Sequence, residues 1–140
     1  MKNKNYFKII DIAADTGIEC FGDSELSILK ILLEGFYFTA FDEIIDLKTL
    51  EVLREEKFPL NNNSLDSAVI TLLEEAIFHL NHKREILSIK KYIKKSCTLD
   101  LNIYKNKNLI NTEIKALTRH NFTIRKDGNK CYYARVIFDL

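Results

Sequence analysis

At 140 residues the chain is expected to form one domain, long enough to bury roughly two-thirds of the surface its unfolded form exposes. Lys and Arg number 21 against 20 Asp and Glu, and the resulting net charge of +1 argues against a nucleic-acid or membrane-surface binder held by bulk electrostatics, leaving room only for a local patch. Cys20, Cys97 and Cys131 are odd in number, lack C-x-x-C spacing and sit in apolar or strand-like contexts, so they read as reduced core residues of a cytoplasmic protein. "MKNKNYFKII" has no apolar h-region and no apolar run is long enough to cross a bilayer, which predicts a soluble, unprocessed chain with no membrane partner.

In chain order, "YFKIID" and "GIECFG" are two short β-like runs flanking the small-residue loop "AADT", and the second ends at a Gly22-Asp23 turn. From Ser24 the period changes. Leu26, Leu29, Leu33, Phe36 and Ala40 recur in steps of three and four, which predicts an amphipathic helix with Asp23 or Ser24 as N-cap. Leu47, Leu50, Val52 and Leu53 with Phe58-Pro59 predict a strand closed by proline and by the turn-rich "NNNS". A second helix then carries Leu65, Val69, Leu72, Ala76 and Leu80 on one face. Beyond Arg84 the pattern is β: "ILSIKKYIK", "CTLDLNIY", "EIKALT", "NFTIR" and "KCYYARVIFDL", with Asp127-Gly128-Asn129 as a hairpin signal before the last. The sum is an α+β fold, two helices packed on a largely antiparallel β-sheet, in a single domain spanning residues 1–140.

Local patterns announce no enzyme. His79 and His82 have a spacing two metal ligands could use, but no third ligand accompanies them, and a structural role is favoured. His120 falls between two β segments, where a turn imidazole bonded to backbone is commoner than a catalytic base. "KKYIKK" is expected as a solvated strand edge rather than a nucleic-acid contact. No glycine-rich phosphate loop, nucleophile elbow or Cys–His arrangement is present. Two carboxylates remain: Asp15 in the loop "IAADTG" and Asp139 in the final "YYARVIFDL". The latter reads as a buried strand that places an aspartate beside a terminal carboxylate, two anions that repel unless a cation lies between them. Spacing alone does not connect Asp15 to that pair.

Both ends of the chain resemble archease. "DIAADTGIECFGDSELSILKILLEGFYFTAF" is similar to the family's opening strand, His-Thr-Ala-Asp motif, second strand and entry to the first helix; "EIKALTRHNF" and "ARVIFDL" are similar to its closing strands. "SLDSAVITLLEEAIFHLNHK" is similar to its Leu-rich second helix. Ile12 stands where the family usually has histidine, Ala13 where it has threonine, and Arg119 where it has tyrosine.

The resemblance implies a metal site at Asp15, Asp139 and Leu140, the last through its main chain, with Lys115 and His120 as partner contacts or supporting groups. Oxygen-only ligands suit a divalent hard cation, Ca2+ first, with Mg2+ or Mn2+ as alternatives. It further implies an accessory factor rather than an enzyme, one that helps a GTP-dependent RNA-splicing (tRNA) ligase to be guanylylated and to turn over repeatedly. RNA would be met only indirectly through the ligase, and the protein would be a monomer or weak oligomer. The rival expectation is a metal-independent binding module or chaperone that modulates nucleic-acid-processing enzymes. A small-molecule enzyme built on His120 and Lys115 ranks last, since no nucleophile or phosphate-binding motif accompanies them.

Overall fold

Nine regular elements follow the predicted order in the computed structural model, which describes residues 4–12, 15–128 and 130–140. Strands β1 (Tyr6–Ile12) and β2 (Asp15–Gly22) precede helix α1 (Glu25–Phe41). Strand β3 (Val52–Pro59) leads to helix α2 (Leu65–Phe78), and β4 (Glu85–Ile93), β5 (Thr98–Lys105), β6 (Ala116–Lys126) and β7 (Tyr132–Asp139) complete the chain. Ser24 and Ser64 cap the two helices, their hydroxyls accepting from the Ser27 and Ser67 N–H at 3.0 and 3.1 Å.

The strands divide into two sheets rather than one. A four-stranded sheet runs β1-β2-β7-β6 and a three-stranded sheet runs β3-β5-β4, with every pairing antiparallel. Helix α1 lies where both can reach it, touching β1, β2 and β7 of the larger sheet, β4 of the smaller, and α2. Burial therefore extends beyond the stripe that periodicity marks: Ile28, Ile31, Leu32 and Tyr37 are buried as well, while Leu26 is only half-buried. A helix apolar on several sides is a helix enclosed on several sides. Gly35 permits the closest approach to the larger sheet, since a Cβ there would lie 3.0 Å from Ile18 Cδ1 and 3.3 Å from Phe7 Cγ. On the other side, the Tyr37 hydroxyl accepts the Leu87 N–H at 2.7 Å, satisfying an amide on the free edge of β4.

Four local expectations are corrected. Asp15 and Thr16 belong to β2, pairing with Ile12 and Asp11, so the loop is shorter than "AADT"; Ala13 and Ala14 lie outside the described residues. Leu47–Thr49 form a 3-10 turn ahead of β3, because the Asp46 carboxylate accepts the Lys48 N–H at 3.1 Å and offers the backbone an alternative to the ladder. Glu113, Ile114 and Lys115 precede β6, and the remainder of "EIKALT" is continuous with "NFTIR", the join appearing as a register shift between Thr118 and Thr123. Of the cysteines only Cys20 is buried; Cys97 is half-exposed and Cys131 exposed, and all three are free. The β6–β7 hairpin forms as expected, closed by Asp127 N–H to Cys131 O at 2.7 Å with Gly128 at φ +80°; Asn129 lies outside the described residues. Among the described residues no helix is long and apolar enough to cross a membrane.

Candidate metal centre

The two central strands of the larger sheet are β2 and β7, which come from opposite ends of the chain. Their ladder runs from Gly22 opposite Tyr132 to Thr16 opposite Phe138. Asp15 and Asp139 each stand one residue beyond the last pair of this ladder, and continuing its register would set them opposite each other. Like charges so placed destabilise each other unless something compensates them. The pairing follows from sequence locally: Thr16, Ile18 and Cys20 point to the core, Phe138, Val136 and Ala134 meet them, and a one-residue slip would expose the whole set. Gly17 lies beside this end. A Cβ there would meet Ile137 Cδ1 and Val136 O at 2.7 Å each, so only glycine admits the tight β2–β7 contact.

Asp15 and Leu140 also line one cleft of about 390 Å3, together with Asp11, Asp42, Thr16 and Thr112. None of its lining residues is Lys, Arg or His. Asp11 reaches it by pairing with Thr16, and Asp42 is the left-handed C-cap of α1, with φ 58° and its N–H donating to Phe38 O at 2.8 Å. Thr112 is brought in when its N–H donates to Ala40 O at 3.0 Å, at the same helix end. The donor set is oxygen throughout, carboxylates, hydroxyls and main chain, which fits a hard divalent cation and does not fit zinc. Among the described residues no three His, Cys, Asp or Glu side chains are gathered tightly enough to hold a metal by themselves. A cation here would therefore draw on main-chain oxygen at Leu140 and on water or a partner's groups to fill its shell.

The other predicted residues are placed differently. Lys115 meets Asp139 through its backbone, its N–H donating to Asp139 O at 2.8 Å, while its exposed ammonium forms no ion pair among the described residues. His120 is exposed inside β6, within the register shift, and its ring forms no hydrogen bond among the described residues. It lies four residues beyond Ala116, the partner of Asp139, so up to about 13 Å of strand separates it from the acidic end. Arg119 turns toward α2 and stands 3.5 Å from Glu74. Ile12 is the strand partner of Asp15. Asp11, Asp42 and Thr112 were not singled out by sequence. The alternation of Phe7, Ile9 and Asp11 puts a carboxylate on the inward face of β1, which is a readable signal; the other two depend on where α1 ends.

His79 has a structural setting. It is buried, its Nδ1 lies 2.8 Å from Glu85 Oε1, and Arg54 forks onto Glu85 at 2.7 and 2.9 Å. This cluster ties the π-helical turn His79–Lys83 to β3 and β4. His82 is exposed and packs on Phe78, with ring centroids 5.1 Å apart.

The sequence model of the Archease protein family (MTH1598/TM1083) matches residues 7–140. The chain belongs to the archease family. Its fold is similar to the solution structure of Methanobacterium thermoautotrophicum protein 1598, with TM-score 0.67 and 22% identity over 96% of this chain and 98% of that one. It is equally similar to the crystal structure of an archease, described as a possible chaperone, from Thermotoga maritima, with TM-score 0.66 and 22% identity over 95% and 96% of the two chains. At that identity the likeness establishes the archease fold. No curated protein is a significant sequence match.

Proposed function

We propose that this archease is a cation-dependent accessory factor that activates a GTP-dependent RNA-splicing ligase in the cytoplasm, without turning over a substrate of its own. Two observations support the reading: the β2–β7 ladder ends at Thr16 opposite Phe138, with Asp15 and Asp139 each the next residue along, and Asp15 and Leu140 line a cleft whose lining holds no basic residue. Asp15, Asp139 and the main chain of Leu140 would hold the ion, and Ca2+, Mg2+ or Mn2+ bound there would supply positive charge for nucleotide phosphates. The chain's own contribution is placement. Rigid central strands fix the carboxylates, Asp11 and Asp42 add negative potential, and the exposed ammonium of Lys115, whose backbone N–H donates to Asp139 O, is left to meet a partner's phosphate. Presented to the ligase, this tip would favour guanylylation of the ligase's active-site histidine and so repeated turnover.

The test has two readouts. Titration calorimetry with Ca2+, Mg2+ and Mn2+ should show binding by the wild type that is weakened in Asp15→Asn and Asp139→Asn. Sealing of a cyclic-phosphate RNA by the cognate ligase with GTP should show more turnovers per ligase with the wild type, and little gain with Asp139→Asn. Absence of any stimulation by the wild type rules the reading out. Full stimulation by a folded Asp139→Asn would instead favour a metal-independent binding module or chaperone.

A further inference from the structure

Residues 106–115 join β5 to β6 without regular structure, yet they are tied down repeatedly. Asn106 N–H donates to Arg84 O at 2.9 Å, and the Asn106 side chain both accepts from Asn108 N–H and donates to Asn108 O, at 2.8 and 3.0 Å. Asn111 and Thr112 both donate to Ala40 O, at 2.8 and 3.0 Å. Ile114 is 2% exposed, and its carbonyl accepts the Asn81 side chain at 2.8 Å. Held in this way, the loop buries Ile114 but presents Leu109 at 92% exposure with Ile110 at 40% beside it.

Single exposed apolar side chains are ordinary on protein surfaces. Three further observations set this pair apart. Leu109 and Ile110 line a cleft of about 560 Å3 that also includes Arg84, Asn81 and Glu113. Arg84, Lys105 and Lys107 are all exposed at the β5 foot of the loop, and none forms an ion pair among the described residues. Thr112, three residues from Leu109, lines the acidic cleft of Asp15 and Leu140, so the apolar pair lies within about 11 Å of chain from it. Cations around an apolar tip, next to a cleft of anions, orient a partner as well as attract it.

We propose that Leu109 and Ile110 are the apolar anchor with which the protein docks on its RNA ligase, entering an apolar pocket whose rim carries carboxylates matching Arg84, Lys105 and Lys107. This rests on the ligase-activating reading above and names the surface through which it operates. A rigid loop loses little conformational freedom on docking, which is where a small contact gains most of its affinity. Anchors of this kind carry a disproportionate share of interface energy when they are desolvated together.

The experiment measures binding of the cognate ligase to the immobilised wild type, to Leu109→Ser/Ile110→Ser and to Lys105→Glu/Lys107→Glu, with ligation turnover alongside. The apolar double variant should bind about thirty-fold more weakly or worse while melting at the wild-type temperature, and raising its concentration should restore stimulation. The charge-reversed variant should associate more slowly, by a factor that shrinks as salt is added. If the wild type stimulates the ligase and the apolar variant binds equally well, the docking surface is overturned and the function stands. If the wild type neither binds nor stimulates, both fall. If the variant instead loses self-association in sedimentation, the tip belongs to a contact between copies of this chain, and docking on the ligase is overturned.

Discussion

A methyl group at Gly17 has no place to go, because Ile137 Cδ1 and the Val136 carbonyl each stand 2.7 Å from where it would lie. Gly17→Ala is expected to cost about 1–3 kcal/mol by overpacking, read as a lower urea midpoint, and to loosen cation binding because the strain falls next to Asp15. Glu85 carries a pH dependence whose sign follows from its partners. Arg54's hydrogen bonds, then His79's, hold its carboxyl below the usual glutamate range. Its contribution is thus complete above the unfolded pKa of about 4.3 and is lost as the pH falls from there through the depressed folded value. Denaturant midpoints should show Glu85→Gln markedly less stable than the wild type at neutral pH, with the gap closing on acidification below about 4.3. Burial, followed by the charges of Glu34 and Glu19, pushes the Cys20 thiol up, so it stays protonated and shielded. Iodoacetamide should label exposed Cys131 in the native protein and reach Cys20 only after unfolding, as peptide mass spectrometry would record.

The elements themselves are held by local signals that act where sequence reading expects them and by long-range contacts that it does not reach. Ser24→Ala removes the hydroxyl accepting Ser27 N–H at 3.0 Å and should cost about 1 kcal/mol in thermal denaturation. Helix α1 was legible from its period, but Ile28, Ile31, Leu32 and Tyr37 are buried because two sheets and a second helix enclose it, which a single stripe does not encode. The continuity of β6 was hidden for a related reason. "EIKALT" and "NFTIR" alternate as two strands, whereas the chain keeps pairing with β7 through a register shift that leaves Asn121 at φ 56°. The turn at Leu47–Thr49 went unread because Leu47 and Leu50 mimic a strand, while one Asp46 hydrogen bond decides the local geometry.

For the molecule as a whole, the wild type should melt higher with millimolar Ca2+ than with chelator, by an amount set by mass action, and Asp15→Asn/Asp139→Asn should melt at one temperature in both. Without added cation the double variant should match or exceed the wild type, since the opposed carboxylates no longer repel. The sequence by itself determined the α+β class, both helices, the first helix's cap to within Asp23 or Ser24, the eight strand signals that fall on seven strands, and the family, because these depend on period, capping and motif within short windows. The proposal that Asp15 acts together with Asp139 is reachable from sequence only through resemblance, for 123 residues lie between them and no local period spans that gap. Tertiary structure decided the rest: the split into two sheets, the arrival of Asp11, Asp42 and Thr112 in one cleft, and the separation of His120 from it. Those depend on which edges pair and where a helix stops, and such choices are settled by burying the whole apolar surface at once rather than by any one segment.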